Sequence, residues 1–199
     1  MKKLSLILFS LFLLSYSTFA STYSSDPKMF VSEMVNDAIN KLSDNDLSEE
    51  EKATFIENIA VENVDINALG LYTLGELRKS TDKDSLKNYQ QAFKKYFLKS
   101  LTSRLTDYSS NKFEIINAEK KSSNYTIVKS KIISSSNQPE IKIDWRVYTK
   151  NPDKPLIRDL IVEGLSLART QKEEFSSILN SNNNDIDILI SKLEEFING

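Results

Sequence analysis

The spacing of apolar residues changes twice along this chain, and that change restricts its fold more than any other feature. From residue 26 to residue 108 apolar side chains recur at steps of three and four, the spacing of one helix face. From Lys112 to Leu167 they recur at steps of two, the spacing of strands with one buried face. From Thr170 onward the helical step returns. Helices, then strands, then helices, in runs and not in alternation, point to an α+β fold. The expected architecture is a curved four-stranded antiparallel sheet covered by helices, with helical parts at 26–108 and 170–198 and the sheet at 112–167.

Local signals mark the element boundaries. Asp26-Pro27 supplies an N-cap and a first-turn proline. Ser48 with Glu51, Thr81 with Asp84 and Thr170 with Glu173 have capping-box spacing. Asp65 and Asp185 stand where further caps are needed. The longest helix runs over 82–108. Its stripe Leu86, Tyr89, Phe93, Phe97, Leu101, Leu105, Tyr108 holds four aromatics in seven positions. This helix reads as packing on the sheet, or as one wall of a pocket where sheet and helix do not fully close.

Strands are expected at 112–119, 125–133, 140–148 and 156–167. The third alternates strictly, with Ile141, Ile143, Trp145 and Val147 on one face and Lys142, Asp144, Arg146 and Tyr148 on the other. Leu160 and Val162 share a face of the fourth. Together with Phe93, Phe97 and Leu101 of the long helix, Ile141, Ile143, Trp145, Val147, Leu160 and Val162 are the candidate lining of an apolar pocket.

The chain has 199 residues, no histidine and no cysteine. That removes disulfides, thiolate chemistry, imidazole catalysis and the common zinc ligand sets. No metal or cofactor site is expected, and a net charge of −2 gives no sign of a nucleic-acid surface. Lys2-Lys3, the apolar run Leu4 to Leu14 and Ser17-Thr18-Phe19-Ala20 form the three parts of a cleavable secretory signal peptide over 1–20. Carboxylates are the remaining catalytic candidates. Asp144 and Asp159 fall on adjacent strands, where they read either as surface ion pairs or as an acid–base pair. An aspartate with a tyrosine donor, from Tyr89, Tyr96, Tyr108, Tyr125 or Tyr148, is a further enzymatic alternative on a pocketed fold.

Several segments, in order, resemble the MlaC family, also described as toluene-tolerance or ABC transporter auxiliary component proteins. Asp159-Leu160-Ile161-Val162-Glu163-Gly164-Leu165-Ser166-Leu167 is similar to its D-x-x-V-E-G-V-S-L signature, with Leu165 where valine is usual. Glu174-Phe175 and Asp187-Ile188-Leu189-Ile190 resemble the pieces that follow it. Leu74-Gly75-Glu76-Leu77-Arg78 resembles its L-G-x-x-W-R turn, with Leu77 in place of tryptophan. The resemblance implies a soluble periplasmic phospholipid-binding shuttle, expected as a monomer, that serves outer-membrane lipid asymmetry. Its implied partners are an inner-membrane ABC transporter with an MCE-domain protein and an outer-membrane lipoprotein–porin complex. The implied fold is like that of nuclear transport factor and ketosteroid isomerase with added helices. A hopanoid or other lipid is an alternative cargo.

Overall fold

Each helix begins where a short polar side chain can accept its first free N–H groups. In the computed structural model, which describes residues 23–105, 112–133 and 139–199, Asp26 caps α1 (Pro27–Leu42) by accepting from Lys28 and Met29. The signal-peptide reading of residues 1–20 and the place of Tyr108 lie outside the described residues. Ser48 and Glu51 form the complete capping box of α2 (Glu49–Asn63). Asp65 caps α3 (Ile66–Thr73). A 3₁₀ turn follows at Gly75–Lys79, entered through Gly75 at φ +58, a conformation that costs glycine little. Arg78 Nη1 donates to Gly75 O at 2.5 Å and so closes that turn.

Two expected capping boxes do not form. Thr81 gives its hydroxyl to Leu77 O, and Asp82 instead caps α4 (Lys83–Leu105), accepting from Asp84 N and Ser85 N at 3.0 Å each. The fourth expected strand also breaks. β4 (Leu156–Val162) ends in a two-residue turn, Glu163-Gly164, and returns as the short β5 (Leu165–Ser166). Ser166 then caps α5 (Leu167–Ser181), so this helix starts three residues before Thr170. Asp185 caps the last helix, α6 (Ile186–Asn198).

Both turn residues have positive φ, Glu163 at 49 and Gly164 at 84. This pairing belongs to the tight turns that match strand twist. Glycine suits the second position. Glu163 is held in the first because its N–H donates to Lys142 O at 3.0 Å and its carboxylate accepts from Lys142 N at 2.5 Å.

The sheet therefore has five strands, not four, as an antiparallel meander in the order β1-β2-β3-β4-β5. β1 is Lys112–Ser122, β2 is Tyr125–Ile133 and β3 is Ile141–Tyr148. Irregularities at Ile115/Asn117, Lys120/Ser122 and Arg146/Val147 bend the strands.

Two cores form. Phe30, Val31 and Met34 of α1 pack with Val128, Ile143, Trp145, Val147 and Ile157 of the sheet. Ile66, Leu74, Tyr89, Phe93, Phe175, Leu179, Leu189 and Leu193 make a separate helical core. The stripe of α4 thus packs among helices, and the expectation that it packs on the sheet is corrected. The reason is occupancy, since α1 covers the sheet face that α4 was expected to cover. Val64 touches both cores, and Asp65 N donates to Ile157 O at 2.9 Å beside it.

Candidate functional site

The strand register sets the candidate residues in rows across one face of the sheet. Val147 stands between Thr126 and Ile157, Trp145 between Val128 and Leu160, and Ile143 between Ser130 and Val162. Ile141 lies beside Ile132, which faces Phe113. Burial falls along these rows. Val128 and Val147 are fully buried, whereas Phe113, Ile115, Ile132, Ile141, Leu160 and Val162 are half-buried. One end of the face is closed under α1, and the other is an apolar surface only partly covered.

Six of the nine candidate residues share this face: Ile141, Ile143, Trp145, Val147, Leu160 and Val162. The other three do not join it directly. Phe93 is buried in the helical core, edge-on to Phe175 at 6.3 Å and against Gly70, where an added Cβ would lie 2.9 Å from its ring. Phe97 stacks on Phe93 at 6.2 Å and is half-buried. Leu101 is half-buried one turn farther along α4. The C-terminal half of α4 leads by residues 106–111 into β1. Phe97 and Leu101 therefore stand in the helical part, and Phe113, Ile141 and Val162 on the sheet.

The floor of this face contains a polar pair that the sequence analysis did not single out. Trp145 Nε1 donates to Ser130 Oγ at 2.8 Å, and Ser130 Oγ donates to Ile143 O at 3.0 Å. Ser130 is fully buried. Its phase on β2, in step with Val128 and Ile132, was the available signal. A buried indole with its N–H satisfied presents only apolar surface. Phe113 meets the indole edge-on at 6.2 Å.

The carboxylate candidates are on the opposite face. Asp144 pairs in register with Ile161, and Asp159 with Arg146. Asp159 is buried, contrary to the reading of it as a solvated surface charge. It accepts from Ser166 Oγ at 2.7 Å and Ala168 N at 3.0 Å and forms an ion pair with Arg146 at 3.2 Å. It therefore clasps the start of α5 to β4, with its oxygens occupied by structural donors.

The hydroxyls of Tyr89 and Tyr96 are engaged as well, and Tyr125 and Tyr148 make ring contacts. Tyr89 Oη and Thr73 Oγ1 are 2.7 Å apart, both fully buried, and burial raises the phenol above its ordinary value. Tyr96 donates to Gln171 at 2.9 Å. Tyr125 and Tyr148 pair at 5.5 Å, with the Arg158 guanidinium 3.3 Å over the Tyr148 ring. Among the described residues no group of carboxylates is placed to hold a metal ion, and no helix is long and apolar enough to cross a membrane.

Comparison with known proteins gives a consistent result. A solved phospholipid-binding protein from Ralstonia solanacearum, in complex with a phospholipid, superposes with a TM-score of 0.69 at 18% identity. The alignment covers 84% of this chain and 94% of that one. No functionally curated protein matches. The family model described as MlaC protein matches residues 32–195, from within α1 through the sheet and into α6. The chain belongs to the MlaC family.

Proposed function

We propose that this chain is a periplasmic phospholipid carrier that shields acyl chains and has no catalytic centre. The observation that carries this reading is the half-buried apolar row Phe113, Ile132 and Ile141, with Val162 in the next row, at the open end of an otherwise packed sheet face. Exposed acyl chain costs about 0.8 kcal/mol per methylene, so one sixteen-carbon chain costs on the order of 12 kcal/mol in water. A carrier needs a cleft that accepts the chains and no nucleophile that would hydrolyse them. The open apolar surface described above supports the first, and we assign Phe97 and Leu101 of α4 as its facing wall. The engagement of Asp159 in holding α5 removes the best acid–base candidate and supports the second.

In this reading residues 1–20 direct export and are removed. The carrier exchanges phospholipid between an inner-membrane ABC transporter with its MCE-domain protein and an outer-membrane lipoprotein–porin complex, and so maintains outer-membrane lipid asymmetry. Helices over one face of a bent meander are the frame we read as like that of nuclear transport factor and ketosteroid isomerase.

Mass spectrometry of lipid extracted from protein purified out of a periplasm tests the reading. A diacyl phospholipid at near one per chain is expected, and stripped protein should take it up again. Ile141→Glu and Val162→Glu place a charge at the open end of the face and should lower that load severalfold while circular dichroism stays unchanged. Absence of lipid from the wild-type protein together with no uptake after stripping sinks the proposal.

A further inference from the structure

The charge of the described chain is strongly divided between two helical regions. Residues 26–65, with α1 and α2, hold eleven acidic residues against three lysines. Residues 83–99 of α4 hold five lysines against one acid, Asp84. Lys83, Lys87 and Lys94 are separated by four and seven residues, which places them on one face of the helix. All three are exposed, and none has an ion pair or hydrogen bond among the described residues. Lys95 points around the helix to the groove shared with Glu194 of α6, and Lys99 donates to Ile197 O, so these two belong to other surroundings. Continued by helical spacing, the face of Lys83, Lys87 and Lys94 reaches Leu98 and Leu101, both half-buried.

We propose that this face of α4 docks the protein on an anionic phospholipid surface. Three unpaired ammonium groups lead directly to the apolar end of the helix that borders the proposed cleft. Docking along α4 would therefore bring the cleft to the lipid. The same surface repels the acidic residues of α1 and α2, so attraction has to come from the lysine face. The choice of a bilayer as occupant rests on the carrier reading above.

Vesicle flotation tests it, with phosphatidylcholine vesicles with and without phosphatidylglycerol. The wild-type exported protein should float only with the anionic vesicles, and about 0.5 M salt should release it. At about fivefold per lysine, K83Q/K87Q/K94Q should bind about a hundredfold more weakly. E49Q/E50Q/E51Q, which removes acidic charge from α2, should bind no more weakly than wild type. The lysine variant should keep the wild-type circular dichroism spectrum and reload phospholipid from detergent solution as wild type does. That separates docking from carriage, because a protein unable to carry lipid fails reloading while flotation still reads docking. Equal flotation of the lysine variant overturns the proposal. So does absence of flotation by the wild type, which would leave an acidic protein surface as the occupant of the stripe.

Discussion

The Trp145 indole N–H donates to the Ser130 hydroxyl at 2.8 Å across two neighbouring strands, inside the apolar face of the sheet. Ser130 passes its own proton to Ile143 O, so both polar groups of the floor are satisfied without water. Ser130→Ala leaves a buried donor unpaired and should cost about 1–3 kcal/mol. Trp145 is the only tryptophan in the chain. A lower urea midpoint and a shifted tryptophan emission maximum in the folded state are the measurements that check this.

Gly70 stands where α3 approaches the ring of Phe93. A methyl group there would lie 2.9 Å from Cδ1 of a buried aromatic that has no free direction to move. Helix propensity favours Gly70→Ala by about 1 kcal/mol, but overpacking of this kind costs roughly 1–3 kcal/mol. Net destabilisation is expected in chemical denaturation, although alanine is the better helix former.

Asp159 supplies acceptors to three donors at once. Asp159→Ala should cost about 1–3 kcal/mol, because it takes the acceptor from the Ser166 hydroxyl and the Ala168 N–H at the start of α5. Arg146→Ala alone should cost less, as measured by thermal unfolding, because the Arg146 side chain is 45% exposed and water replaces its partner. A catalytic role would instead leave stability intact in Asp159→Asn and abolish turnover of a substrate.

Tyr89 predicts an alkaline limit to stability. Its phenol is buried, and burial pushes its ionisation upward, opposed by the bond to Thr73. The folded state therefore keeps a proton that the unfolded chain releases near pH 10. Stability from this source is fully present below that value and falls as pH rises above it. Tyr89→Phe should remove this part of the alkaline slope and cost about 1 kcal/mol at neutral pH for the lost hydrogen bond. Melting temperatures of both proteins between pH 8 and pH 11 provide the check.

Gly164→Ala meets no neighbouring atom but retains a left-handed φ. It should cost about 1 kcal/mol from backbone strain alone. Restoration of stability by a D-alanine at that position, introduced by semisynthesis, would show that conformation and not space is limiting.

By itself the sequence determined the elements that depend on neighbours in the chain. Asp26, Ser48, Asp65 and Asp185 cap helices because a capping side chain reaches only its own next three residues. The strict alternation from Ile141 to Tyr148 placed Ile143, Trp145 and Val147 on one buried face because side-chain direction repeats every two residues. The Val162-Glu163-Gly164 segment carried the family resemblance, and it forms a turn with positive φ at both central residues.

Partners distant in the chain were decided only by the tertiary structure. Nothing local distinguishes the apolar stripe of α1 from that of α4, so which one covers the sheet was open until packing resolved it. Thr81 and Thr170 have the right neighbours for caps, but each hydroxyl donates to a carbonyl of the preceding turn. Ser130 gains its role from Trp145 on the next strand, and Asp159 its role from Arg146, Ser166 and Ala168. Periodicity says which side of a strand or helix is buried. It does not say against what, because that is settled by competition among surfaces of similar apolar character across the whole chain.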